Sequence, residues 1–257
     1  TLRDQITAMI WWSVGFVIIS IYFAYFYPFI SKNTEILKVF DSLPPMIKNL
    51  FGDIDFASSP AGFFNLQPFS YFAPLMILFY SISKGVGFVA GEQEDGTLDL
   101  LLSNPVSRTG MILQKVLAIS VALAVIHLFF FAGMCLGLAL FNIDLSILRL
   151  SEAIFSLYLF SLSFLAISVA AGVAFLNKRT AVGVVSGFAM ISFLINAYAP
   201  AVRSLEIARL FSPFYYNSGN SPVLNGLDPG LVAIQFLIFV FFLMISLIIF
   251  RKRDLVS

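Results

Sequence analysis

Polar and apolar positions do not alternate along this chain; they segregate into blocks. Six runs, 9–27, 71–90, 116–141, 153–176, 181–199 and 231–250, are almost free of charge and are separated by polar segments. Each run is about the roughly 20 apolar residues that an α-helix needs to cross a bilayer core. The pattern predicts an all-α membrane protein of six transmembrane helices, forming a single polytopic domain over residues 1–257. The first run could be taken for a secretory signal, but Trp11, Trp12, Tyr22, Phe23, Tyr25, Phe26 and Tyr27 make it bulky, and no small-residue cleavage site follows. It is read as a retained helix. The chain begins at Thr1 without an initiating Met, so further residues are expected upstream.

The separating segments differ in kind. Residues 31–70 form a long connection with Pro44-Pro45 and apolar positions such as Ile36, Leu37, Val39 and Phe40, read as short helices against the membrane surface. Residues 201–230 begin helically through Leu205, Ala208 and Leu210. They then pass through Ser212-Pro213-Phe214-Tyr215-Tyr216 into Asn, Ser, Gly and Pro. The two tyrosines suit a headgroup layer, with an external gate as the alternative. The turn Asn177-Lys178-Arg179-Thr180 is short enough to force the fourth and fifth runs into an antiparallel hairpin.

Composition strengthens the membrane reading. With 60% hydrophobic and 11% charged residues among 257, 30 of them Phe, there is too little polar surface to cover a soluble globule; the mean hydropathy is +0.95. A net charge of +1, with basic residues scattered singly, offers no field for nucleic acid. Cys135, the lone cysteine, excludes an internal disulfide and reads as a small buried hydrophobe.

Basic residues also orient the chain. If both termini are cytoplasmic, Arg3, Arg108, Lys115, Lys178, Arg179, Arg251, Lys252 and Arg253 lie inside. Lys32, Lys38, Lys48, Arg149, Arg203 and Arg209 then lie outside, on segments roughly twice as long. The inner density of positive charge is therefore the greater. Lys84 falls within the second run, about 9 Å from its end, where its ammonium can snorkel to the interface.

One stretch departs from this economy of charge: Gly91-Glu92-Gln93-Glu94-Asp95-Gly96-Thr97-Leu98-Asp99-Leu100-Leu101-Leu102-Ser103-Asn104-Pro105-Val106-Ser107-Arg108. A helix starting near Gly91 would place Glu92, Glu94 and Asp95 in its first turn, where carboxylates meet the positive end of the dipole. Leu98, Leu101 and Leu102 would share one face, Asn104-Pro105 would stop the helix, and Ser107 or Thr109 would cap the next. The expected element is a short amphipathic helix between spans two and three, and the bland alternative is a solvated loop.

The phrase G-E-x-E-x-G-T-L-x-x-L-L-x-x-P-x-x-R, followed by Lys115, resembles the first cytoplasmic loop of ABC-2 type transporter permeases. The closing Arg251-Lys252-Arg253-Asp254-Leu255 is similar to the usual ending of that family, and Thr1 to Gln5 would be the end of its preceding amphipathic segment. The resemblance implies a permease subunit of an ATP-binding-cassette transporter, an exporter, in the cytoplasmic membrane of a prokaryote. It implies a second permease subunit, identical or homologous, and separate ATPase subunits that carry the ATP and Mg. It assigns coupling to the ATPase to Gly91, Glu92, Glu94, Gly96, Thr97, Leu98, Leu101, Leu102, Pro105 and Arg108.

Other candidates rest on residues alone. His127, the only histidine, lies in an apolar run; it reads as an interhelical hydrogen-bonding group, with a proton or substrate role as the alternative. No second ligand at metal spacing accompanies it. Asn196 and Gln235 read as helix glue or pathway residues. Glycine pairs at four-residue spacing, Gly87 with Gly91, Gly133 with Gly137 and Gly183 with Gly187, permit close helix approach, the last being the preferred dimer seam. Phosphate-loop, H-E-x-x-H and G-x-S-x-G motifs are absent, so no catalytic or cofactor-binding residue is expected. Phe-rich spans favour an apolar or amphipathic cargo. A passive channel or scaffold, and less so a membrane-embedded enzyme, remain the rival classes.

Overall fold

The computed structural model describes residues 2–33, 58–94, 107–175, 177–200 and 202–252. Among them there is no strand, and six helices are long and apolar enough to cross a membrane. These are α1 (Leu2–Lys32), α2 (Pro60–Val86), α3 (Arg108–Leu140), α4 (Ile147–Phe175) and α5 (Lys178–Tyr198). After two short helices, α6 (Glu206–Arg209) and α7 (Pro213–Ser218), comes the sixth, α8 (Pro229–Lys252).

The helices overrun the apolar runs, because a helix continues into the headgroup layer wherever its backbone is capped. Ser59 caps α2, its hydroxyl accepting from the Gly62 N–H at 3.1 Å, with Pro60 at the first position where no N–H is needed. The connection expected over 31–70 is therefore shorter at both ends. Residues 65–72 widen into a π-helical turn around Pro68, which lacks the N–H that a regular ladder would use. Ser107 caps α3 by accepting from Gly110 N–H at 3.1 Å. Asn177 caps α5 by accepting from Thr180 N–H at 2.9 Å, only two residues after α4 ends.

α4 is the mast of the bundle, buried along almost its whole length by α2, α3, α5 and α8. Its serines spend their hydroxyls on backbone carbonyls: Ser168 donates to Phe164 O at 2.6 Å, and Ser163 to Leu159 O and to Gln235 O of α8, both at 3.0 Å. On the outer faces of the other long helices, Trp11, Phe79, Leu117, Leu128 and Phe241 stand open, as suits side chains that meet lipid. α1 and α3 run parallel and touch backbone to backbone. A Cβ on Gly133 would stand 2.9 Å from Val17 Cα, and one on Gly137 would stand 2.7 Å from Ala24 Cβ. α2 crosses α4 equally closely at Gly85, where a Cβ would meet that of Ser168 at 2.5 Å.

The return from α5 to α8 folds into the bundle. Phe214 of α7 is buried between Phe160, Phe164 and Phe193, with ring centroids 4.9, 5.9 and 5.4 Å away. Ser212 donates to Ser192 O at 2.8 Å, and Asn217 donates to Phe69 O in the widened part of α2 at 3.4 Å. The two ends of the bundle are thus distinct. The near end holds the start of α1, the end of α8 and the exit from α2; the far end holds the α6–α7 return.

Candidate functional site

At the near end the chain runs helically past Val86 without interruption, through a π segment Gly87–Gly91 into Glu92–Glu94. Glu92 and Glu94 are therefore the last described residues of the helical path that leaves α2. A carboxylate at such a junction is stabilised where a cation or an N–H group reaches it. Both are reached. Glu92 forms an ion pair with Lys115, two turns into α3, the two side chains being 24% and 28% exposed. Glu94 Oε1 accepts from the Lys178 backbone N–H at 2.9 Å, at the positive end of the α5 dipole.

These two contacts tie together the exit of α2, the first turns of α3 and the start of α5. Gly91 is buried, and Arg108 is the first residue of α3. Gly96, Thr97, Leu98, Leu101, Leu102 and Pro105 lie outside the described residues, as does the expected amphipathic helix itself.

Beside this cluster an apolar cavity of about 370 Å³ opens between α2 and α5, lined by Leu78, Phe79, Ile82, Val182 and Met190 with Lys178 at one edge. The face of α5 next to it is bare. Gly183 and Gly187 are exposed, and a Cβ on either would meet nothing within 4 Å, while Val184, Met190 and Ile191 stand open alongside. Of the three glycine pairs, Gly133 with Gly137 packs within the chain, and Gly183 with Gly187 is left unpartnered among the described residues.

His127 is buried in α3. Its Nδ1 donates to Leu123 O at 2.7 Å, its ring meets Tyr158 edge-on at 5.6 Å, and its Nε2 approaches the Leu157 carbonyl of α4 without a hydrogen bond of good geometry. Lys84 lies 5.9 Å from the centroid of the Tyr80 ring, a long cation–π contact. Gln235 is fully buried where α8 meets α4; its backbone carbonyl takes the Ser163 hydroxyl, and its carboxamide bonds to no described residue. Asn196 stands apart, at the far end, bridging Ser218 and Arg209. The pathway candidates are therefore dispersed through the bundle.

Sequence reasoning missed the partners of Glu92 and Glu94. Lys115 carried a signal, being one of two cations, with Arg108, in the first turns of α3. The N–H of Lys178, 84 residues beyond Glu94, carried none. No group of three or more potential metal ligands occurs among the described residues. No curated protein matches the chain. The profile of a family described as ABC-2 family transporter protein matches residues 2–255.

Proposed function

The chain belongs to the ABC-2 family of transporter proteins and is a multi-pass membrane permease subunit; from that membership we propose that it works as half of a paired unit driven by separate ATPase subunits. Both termini and the near end face the cytoplasm of a prokaryotic cell, where segment 92–103 seats against an ATPase that holds the ATP and Mg. A partner's motion reaches the spans only through an element in contact with both. The observation that supports this reading is the pair of contacts Glu92–Lys115 and Glu94–Lys178, which links the start of that segment, where it leaves α2, to α3 and α5.

Closure of the ATPases on ATP would displace the segment and pull on these three spans together, switching the side to which a central cavity opens. The second permease, identical or homologous, packs on the bare face of α5 at Gly183 and Gly187. Between such halves the apolar wall of Leu78, Phe79, Ile82 and Met190 would face an apolar or amphipathic cargo, moved outward.

Two substitutions in the same segment test the coupling role. Leu101→Asp puts a charge on the face expected to be apolar, where burial of a leucine stabilises by roughly 1.5–3 kcal/mol. It should abolish substrate-stimulated ATP hydrolysis in a reconstituted complex while leaving membrane insertion intact. Asp99→Asn, on the expected wet face, should leave coupling near wild type. Equal behaviour of the two variants at matched expression would overturn the proposal.

A further inference from the structure

A cavity at the far end serves none of the roles above. It measures about 140 Å³ and lies between the widened part of α2, the end of α5 and the α6–α7 return, with Asn65, Tyr71, Phe193, Asn196, Arg209 and Ser218 among its walls. We infer that it binds the anionic headgroup of a membrane amphiphile, held by the Arg209 guanidinium. The site is independent of the transport reading, because occupancy needs neither ATP nor a second subunit.

The charge balance of the cavity carries the inference. Arg209 is half-buried, its plane lies 4.6 Å from the centroid of the Tyr215 ring, and its Nε donates to Asn196 Oδ1 at 3.0 Å. Asn196 is itself oriented by donating to Ser218 Oγ at 3.3 Å. The guanidinium is thereby fixed in place, yet its Nη donors bond to no described residue and no described carboxylate pairs with it. Among the described far-end acids, Glu152 pairs with Arg149 at 3.0 Å, Asp228 accepts from the N–H groups of Gly230 and Leu231 at 2.7 and 3.1 Å, and Asp144 forms no ion pair with Arg209. Glu206, one turn before Arg209, forms no ion pair with it. Burial pushes the Arg209 pKa down, with the neighbouring Tyr215 opposing. A half-buried cation without a counter-ion is the unfavourable half of an ion pair, and an oxyanion in the cavity completes it.

Two further observations define the ligand. The Asn65 side chain is 3% exposed, lines the same cavity, and its Oδ1 has no partner among the described residues. That oxygen is itself closed off from the cavity, so the anion is held by the Arg209 Nη donors. Around Arg209, Ile207, Leu210 and Phe211 are 74%, 52% and 79% exposed. Arg209 turns inward while its neighbours present apolar surface outward, the arrangement of a segment lying in the membrane interface. Headgroup in the cavity and acyl chains against that surface is the geometry of a bound amphiphile such as a phosphoglycerol lipid.

The test uses the purified full chain in detergent, titrated with a short-chain phosphatidylglycerol, the corresponding neutral diacylglycerol, or inorganic phosphate, and read by native mass spectrometry. Wild type should hold the anionic lipid roughly ten-fold or more tighter than the neutral one, as a charged hydrogen-bonded pair requires. Arg209→Gln should bring that preference below about two-fold, and Arg209→Lys should retain part of it. Displacement of the lipid by millimolar phosphate would identify a free anion as sufficient; its failure to compete would show that the acyl chains are needed. Asn196→Asp places a carboxylate beside Arg209 and should abolish the preference while leaving the thermal melt at or above wild type. An undiminished preference in either Arg209→Gln or Asn196→Asp, or no preference in wild type, overturns the site.

Discussion

Single glycines decide where this bundle is tight. Gly133 sits where any side chain would strike the backbone of α1, so Gly133→Ala should destabilise the purified chain by about 1–3 kcal/mol. Gly183→Ala, with open space around it, should leave the melting midpoint of the same preparation within error of wild type. A larger loss at Gly183 than at Gly133 would mean that the α1–α3 contact is wrongly drawn. Phe214 is the converse case, a large ring whose removal leaves a hole. Phe214→Ala should cost about 3–5 kcal/mol and expose the return segment to protease. The spacing of Gly133 and Gly137 was readable as a close-approach signal, though not its partner. Gly85 and Gly172 lie outside any four-residue pair of glycines, so nothing local marked their contact with α4 and α2.

At the scale of elements, run length was the dependable guide. An uncharged stretch of about 20 residues can be satisfied only by a helix that bonds its own backbone, so the six helices followed from hydropathy alone. What hydropathy could not supply was structure in the mixed segments. The extension of α2 back to Pro60 depends on the Ser59 cap, and the burial of α7 depends on Phe160, Phe164 and Phe193 arriving from two other helices. The candidate site divides in the same way. Its acidic phrase stood out by composition, whereas its attachment to α3 and α5 needed three-dimensional proximity between distant residues. That attachment makes an element-level prediction: Glu92→Lys or Lys115→Glu alone should weaken transport-linked ATP hydrolysis, and the doubly reversed chain should recover it. A double-mutant cycle on stability should give about 0.5–3 kcal/mol of interaction. Absence of any recovery would leave the two residues acting separately.

For the molecule as a whole, topology is the property to measure first. With Cys135 replaced by Ala, a cysteine at Asn220 should react with an impermeant thiol reagent in intact cells, and one at Arg179 should react only after the membrane is opened. The reverse pattern would invert the orientation and detach segment 92–103 from any cytoplasmic ATPase. A cysteine at Gly187 should cross-link to its counterpart if identical halves meet on α5. The burial of α4 has a further consequence for how the chain is made. α4 leaves the ribosome long before α8, the helix that covers one of its faces and takes the Ser163 hydroxyl on the Gln235 carbonyl. A nascent chain that has inserted only five spans therefore holds its most densely packed helix half-dressed, with that face turned to lipid or to an insertion factor. Ribosome-stalled chains ending before Pro229 should accordingly be clipped by membrane proteases far faster than chains that include α8, so that completion of the last span acts as the cell's checkpoint for this protein.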